Sequence, residues 1–375
     1  MLHAQWAPYR LIFKETAITS RDRMQVKDTY LVRLWDDDDP SDIRYGEVPL
    51  FKGLSPEDTP DFEKILADTC RRLETGWIFP LKSCSTADGT MSVLDDHFLP
   101  QASSIRFGLQ TAICSQAGIL YDTSWTRGEI PITINGLIWM GDKDTMIRRI
   151  RAKLDDGFRC IKIKIGGIGF DDEIDLLRLI RSSFSAADVE LRLDANGSLW
   201  RTAPLLPSRL DVALQRLDRL AAFDIHSIEQ PIPPGNLEAM ARIIDRSPIP
   251  IAFDEELYGC PSHSRMIEII SLRPAYIVVK PSLCGGLFQT QSWIETARRF
   301  NVGWWITSAL ESNLGLDSLG QFSSRMMTDF DSDMPQGLGT GNLYTNNFTY
   351  TMQLRGPLLS RIADTRIQIP DLQWR

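Results

Sequence analysis

The chain has 375 residues, 43% of them hydrophobic and 24% charged, with a formal net charge of −8. That length can bury a large core and favours two domains over one, while the acidic balance argues against bulk binding to nucleic acid or an anionic membrane. No run reaches the roughly 18 apolar residues of a membrane span, and the opening MLHAQWAPYRLIF lacks a signal peptide's apolar core and cleavage site.

The elements, in chain order, begin with two alternating segments within residues 6–35, APYRLIFKE and DTYLVRLW, which predict strands. Asp36 to Asp39 with Pro40 form a charged turn, after which YGEVPL resumes an extended pattern. PLFKGLSPED reads as a loop. Ser55 with Asp58 resembles a helix start, so a helix is expected over 58–75 and another over 102–120. These make an α+β domain over residues 1–130. The rhythm then changes to strand followed by helix: INGLIWM at 134–140, a helix through MIRRIRAKLDDG, CIKIKIGG at 160–167, and a helix over 171–184. ELRLDANG follows, then helices over 208–222 and 236–246 that lead into DIHSIEQP and PIAFDEE. A short helix at 264–271 precedes AYIVVKPSLCGG, and a helix over 289–300 precedes VGWWITSALES. Six or seven βα units in roughly 200 residues predict a barrel over 131–342 rather than a doubly wound sheet. The tail, 343–375, has strand-like sequence that could return to the first domain. Cys70, Cys84, Cys114, Cys160, Cys260 and Cys284 form neither a CxxC pair nor a zinc-like cluster, which suits a reducing compartment and a cytoplasmic location.

Three acids follow short apolar runs: Asp194 in LRLDAN, Glu229 in HSIEQP and Asp254 in IAFDEE. Their gaps of 35 and 25 residues (194 to 229, 229 to 254) suit consecutive strand ends. In a barrel those ends converge on one mouth. Any one of these acids alone would ordinarily cap a helix or pair with arginine; it is the set on the repeat that points to a metal. Three carboxylates make a hard oxygen shell suited to Mg2+ rather than zinc. Lys164 lies 30 residues before the set and Lys280 26 after it. Lys162 and Lys164 alternate with isoleucines in IKIKI and share one face of a strand. Their mutual repulsion and burial favour the neutral amine, which is what a general base near neutral pH requires. Lys280 could enter the mouth from the other side or snorkel outward. Removing a proton α to a carboxylate builds a second negative charge, which a cation and nearby ammonium groups stabilise. The resulting enediolate can be reprotonated or can expel a β-substituent, and the residues leave that choice open. Thr307, Ser308, Glu311 and Ser312 could donate hydrogen bonds to substrate or cap a helix. QGLGTGN at 336–342 lacks the P-loop lysine and the dinucleotide spacing.

KIK at 162–164, DAN at 194–196, the Glu229 segment, Asp254-Glu255 and KPS at 280–282, taken in order, resemble the enolase superfamily on its muconate-lactonising side. That resemblance implies an α/β fold: a modified (β/α)7β TIM-type barrel with an N-terminal α+β capping domain. It also implies a metal on Asp194, Glu229 and Asp254, with Lys164 and Lys280 as the acid/base pair. SIRFGLQTA at 104–112, INGLIWMG at 134–141, TSALESNLG at 307–315 and PQGLGTGNLYTNN at 335–347 resemble the o-succinylbenzoate synthase family. The implied reaction is dehydration of 2-succinyl-6-hydroxy-2,4-cyclohexadiene-1-carboxylate to 2-succinylbenzoate in menaquinone synthesis, with Mg2+, or Mn2+ as a substitute. In that resemblance Lys164 takes the proton and later helps the hydroxyl leave. Lys280 stabilises the enediolate by its charge, and Lys162 assists at the substrate carboxylate. Asn196 faces the site, Gly53 and Leu54 close over substrate, Ser308 and Ser312 line the pocket, and Glu255 reaches a lysine behind the ligands. The expected partner is a small carboxylate, with a homo-oligomer compatible. A dipeptide epimerase or N-acylamino-acid racemase would use the same metal and lysines. A non-catalytic barrel binding a small anion or a protein would need neither.

Overall fold

The structure is a computed structural model that describes residues 1–18, 23–86, 89–200 and 209–375; the expected helix start at 208 lies outside these. Three strands, β1 (Leu2–Ile18), β2 (Arg23–Asp36) and β3 (Asp39–Val48), form an antiparallel meander in that order. In β2 the side chains of Lys27, Thr29 and Leu31 are buried, and those of Val26 and Asp28 are exposed, as a period of two demands. The charged run after β2 is a hairpin turn. Asp36 accepts the backbone N–H of Asp39 (3.0 Å) on one oxygen and that of Leu81 (2.7 Å) on the other.

The first helix, α1 (Phe62–Gly76), begins later than Asp58. Pro60 biases Thr59 away from helical backbone. Ser55 and Asp58 instead accept the backbone N–H groups of Phe51 (2.9 Å) and Gly53 (2.8 Å), which folds the segment into a loop. After the short α2 (Thr90–Val93) comes α3 (Ser103–Cys114), buried on every face. It stops short of 120 because Ala117 (φ 52°) and Gly118 (φ 83°) take left-handed backbone, in a turn where Gln116 and Ile119 exchange hydrogen bonds. α3 packs on β3, and two glycines set the closeness. A methyl group on Gly46 would lie 2.0 Å from the Gly108 carbonyl oxygen, and one on Gly108 would lie 2.4 Å from Val48 Cγ2.

The second unit opens with β4 (Ile132–Thr133) and then alternates: β5 (Gly136–Ile138), α4 (Lys143–Asp155), β6 (Cys160–Lys164), α5 (Phe170–Ser183), β7 (Glu190–Asp194), α6 (Arg209–Leu220) and β8 (Ser227–Glu229). It continues with α7 (Leu237–Arg246), β9 (Ile251–Phe253), α8 (His263–Ile270), β10 (Tyr276–Val279), α9 (Gly286–Arg299), β11 (Gly303–Ile306) and α10 (Asn313–Asp329). Strands β5 to β11 form one parallel sheet in sequence order. Its edges are linked through residues 336–337: Ile134 bridges Gln336 and Thr307 bridges Gly337, both in parallel sense. Asn135 N–H donates to the Gln336 carbonyl (2.9 Å), and Gly337 N–H to that of Ile306 (2.7 Å). This is the expected modified barrel beside an α+β capping sheet.

Sequence reading provides no helix for α10. Its sequence, NLGLDSLGQFSSRMMTD, holds two glycines and three serines, all poor in helix propensity. Burial of Leu316, Leu319, Phe322 and Met326 compensates, together with an N-cap at Ser312. The hairpin β12 (Met352–Arg355) and β13 (Leu358–Arg361) pairs with β4. On either side of that hairpin the tail touches β1. Lys14 N–H donates to the Leu343 carbonyl (2.8 Å), and Arg375 exchanges backbone hydrogen bonds with Trp6. None of the six cysteines forms a disulfide, and no helix among the described residues is long and apolar enough to cross a membrane.

Candidate active site

Strand register builds the site. Lys164 on β6 pairs with Asp194 on β7, and Asp194 pairs with Glu229 on β8, so three functional side chains stand in one row. Glu229 pairs in turn with Ala252, and Asp254 lies two residues further, on the same face. Asp194, Glu229 and Asp254 are 1%, 0% and 0% exposed, and one oxygen from each lies within 4.8 Å of the others. The chain turns sharply after these positions: Asn196 (φ 43°) and Gln230 (φ 41°) hold left-handed backbone, a conformation disfavoured for side chains of this kind. Gln230 then locks two ligand loops together. Its Oε1 accepts the backbone N–H groups of Asp254 and Glu256 (both 3.3 Å), and its Nε2 donates to the Ile232 carbonyl (3.0 Å).

Three lysines reach the carboxylates. Lys162 Nζ lies 2.6 Å from Glu229 Oε2 and 3.3 Å from Asp194 Oδ2. Lys164 Nζ lies 2.8 Å from Asp194 Oδ2 and donates to Asn196 Oδ1 at 3.1 Å. Lys280 Nζ lies 2.6 Å from Asp254 Oδ2 and 2.7 Å from the Tyr258 hydroxyl. Burial alone would lower the pKa of Lys162, but Asp194, Glu229 and Asp254 reverse this and hold it above the usual lysine range. The expectation that the 162–164 pair favours a neutral amine at Lys162 is therefore corrected: the carboxylates outweigh the neighbouring ammonium. Lys280 is likewise raised, with burial overcome by Asp254 and Glu255. Burial disfavours ionised Asp194, yet Lys162, Lys164 and Lys280 hold its carboxyl well below the usual range. For Glu229 burial dominates; Lys162 counters it, the charges of Asp194 and Asp254 add to it, and the pKa is pushed up to about 7.

The donor set fits a hard divalent cation such as Mg2+. All three donors are carboxylates, with no thiolate or imidazole among them. Glu229 Oε1 and Asp254 Oδ1 are buried without a hydrogen-bond partner, a costly state that coordination would relieve.

A cavity of about 530 Å³ opens over the triad between barrel and capping sheet. Lys162, Lys164, Asp194, Asn196, Glu255 and Lys280 face it from the barrel, with Ser308 at one side and Gly53 and Leu54 on the capping loop. Asn196 Nδ2 donates to Glu255 Oε1 (3.1 Å), so Glu255 supports the Asn196–Lys164 contact. The Ser308 hydroxyl is shared with that of Thr340 (2.7 Å). Ser312 is placed elsewhere. It is fully buried at the start of α10, where its hydroxyl donates to Glu47 Oε2 (2.5 Å) and accepts the Leu314 N–H (3.2 Å). Of the two roles open to it in the sequence, helix capping is the one observed. Sequence reading did not single out Tyr258 or Lys27, or the clamping role of Gln230. Tyr258 follows Asp254 by one tight turn, Glu255–Leu257, and no pattern of residues marks it.

The comparisons agree with this geometry. The model of the enolase C-terminal domain-like family matches residues 145–338. The o-succinylbenzoate synthase of Desulfotalea psychrophila is 39% identical over 369 residues, spanning 93% of this chain and 96% of that protein. The crystal structure of MenC from the same organism superposes with a TM-score of 0.79 at 36% identity, over 96% of this chain and 99% of that one. The L-Ala-D/L-Glu epimerase of Bacillus subtilis shares the fold, with a TM-score of 0.76 at 18% identity over 96% of this chain and 95% of that one. The chain thus belongs to the o-succinylbenzoate synthase family, on the muconate-lactonising-like side of the enolase superfamily, and is a carbon–oxygen lyase built on a metal-binding carboxylate triad.

Proposed function

We propose that the chain dehydrates 2-succinyl-6-hydroxy-2,4-cyclohexadiene-1-carboxylate to 2-succinylbenzoate, a step of menaquinone synthesis. The observation that carries this reading is the placement of Lys164 and Lys280 on opposite sides of one carboxylate triad, both facing one cavity. Asp194, Glu229 and Asp254 would hold the cation, which when bound supplies a Lewis acid beside the substrate carboxylate as its second negative charge develops. Lys164, acting from its unprotonated form, takes the proton from the ring carbon that bears the carboxylate. The ring electrons then expel the hydroxyl from the adjacent carbon. Lys164 returns the proton to that oxygen, so water leaves and the ring becomes aromatic. Lys280, kept cationic by Asp254 and Glu255 and oriented by Tyr258, stabilises the enediolate electrostatically. Lys162 lies under the ligands and offsets their charge beside the substrate carboxylate. Asn196 holds Lys164 in place, while Gly53, Leu54 and Ser308 bound the substrate.

An amine on each side of an acidic carbon also suits proton exchange without elimination, the chemistry of an acylamino-acid racemase or dipeptide epimerase. The deciding experiment is a Mg2+-dependent assay with the cyclohexadiene substrate alongside a panel of acylamino acids. Dehydration that requires the metal and is abolished by Lys164→Ala is the expected result. Faster deuterium exchange into an acylamino acid than dehydration would transfer the reading to the racemase. Metal-independent behaviour that tolerates Lys164→Ala would point to a non-catalytic barrel.

A further inference from the structure

The cavity has a second charged end. Lys27 projects from β2 on its inward face, is only 6% exposed, and lines the same cavity as Lys164 and Lys280. Its Nζ has no hydrogen-bond partner among the described residues. The two acids whose charge acts on it are otherwise engaged. Glu47 accepts from Thr29 Oγ1 (2.9 Å), from the N–H and hydroxyl of Ser312, and from Gly315 N–H (3.0 Å). Glu311 accepts from Ser282 Oγ (2.6 Å) and Ala309 N–H (2.7 Å). The surroundings are apolar: the Phe51 ring centre is 6.0 Å from Nζ, and Phe51 packs in one cluster with Leu11 and Leu310. Burial pulls the ammonium towards its neutral form more strongly than Glu47 and Glu311 hold it charged, and neither acid hydrogen-bonds to Nζ.

We propose that Lys27 is the subsite for the second, remote carboxylate of a dicarboxylate ligand whose first carboxylate lies at the metal triad. This deepens the dehydratase reading and rests on it for the identity of the ligand. The succinyl chain carries just such a carboxylate away from the reacting ring. A carboxylate arriving at Lys27 completes a charge-assisted hydrogen bond in an apolar wall, where the bond is strong and its absence costly. The exposed Lys52 nearby is a solvated charge and gains much less.

The test uses calorimetric binding to the full-length, Mg2+-loaded protein with two probes. One is 2-succinylbenzoate; the other is 2-butyrylbenzoate, in which a methyl group replaces the remote carboxylate. Wild type should prefer the dicarboxylate by about tenfold or more. Lys27→Met should erase that preference while leaving 2-butyrylbenzoate affinity unchanged, and Lys27→Arg should restore part of it. A preference that persists in Lys27→Met overturns the proposal. So does equal weakening of both probes with a lowered melting temperature, since that marks Lys27 as a structural counter-charge for Glu47 and Glu311. Wild-type turnover is measured separately. Preference lost in Lys27→Met without wild-type dehydration keeps the subsite and removes the reaction. Turnover with an unmoved preference keeps the reaction and removes the subsite. Failure of wild type to bind either probe overturns the subsite, and turnover alone then decides the reaction.

Discussion

At Glu229 burial and charge are opposed most directly. The side chain is fully buried, one oxygen is held by Lys162, and the other is unpartnered beside two further acids. Glu229→Gln removes a charge from the ligand set but keeps size and the possibility of a contact to Lys162. We expect Mg2+ affinity to fall by at least about 100-fold, since loss of mere supporting contacts already costs 10–100-fold. The far-ultraviolet circular dichroism should stay the same. Titration calorimetry checks the first and a spectrum the second; unchanged affinity would remove Glu229 from the ligand set. The acids were legible in the sequence because a strand places alternate residues on one face and a barrel gathers strand ends, so spacing alone carries the information. Gln230 and Tyr258 were not. Their roles depend on a left-handed turn and a tight helical turn, and neither leaves a periodic trace. Lys27 was legible in principle: a lysine on the face shared with Thr29 and Leu31 breaks the apolar alternation at an inward position.

At the level of elements, the sheet and α3 meet through Gly46 and Gly108. A methyl group on Gly108 would press within 2.7 Å of the Glu47 carbonyl as well as against Val48. Backbone cannot yield as a side-chain tip can, so overpacking should cost near the upper end of its usual range of about 1–3 kcal/mol. The better helix propensity of alanine returns about 1 kcal/mol. Gly108→Ala should therefore lower stability by about 2 kcal/mol in urea melts, and a neutral result would show that the interface slides. The βα rhythm located most elements to within a few residues because alternation and amphipathic spacing are local signals. The exceptions share a cause. α1 starts late because Pro60 and two side-chain caps favour a loop, and α10 forms from glycine- and serine-rich sequence because its surroundings bury it. Tertiary context decides both.

The stability of the whole molecule should carry a pH signature from Glu173. This carboxyl, in the first turn of α5, is 4% exposed and accepts the Gly166 N–H (2.5 Å) in the loop that follows Lys164. Burial pushes its pKa up to about 7 against hydrogen bonds from Gly166, Ile168 and Gly167 that pull the other way. The folded state then binds a proton more tightly than the unfolded chain. Its contribution is most favourable below the unfolded value of about 4.5 and is lost as pH rises to about 7, a change of roughly 2–3 kcal/mol. Glu173→Gln should flatten that slope relative to wild type in denaturation series at pH 5 and pH 7.5; parallel slopes would refute the assignment.

The bonds from Glu47 to Ser312 and Gly315 have a consequence for access. They fasten the sheet of the first unit to the start of a barrel helix with a buried carboxylate, so these two bodies cannot swing apart like a clam shell without stranding that charge. On the capping side, Phe51 to Leu54 line the chamber, and the fold of that short stretch rests on two side-chain hydrogen bonds, from Phe51 N–H to Ser55 and from Gly53 N–H to Asp58.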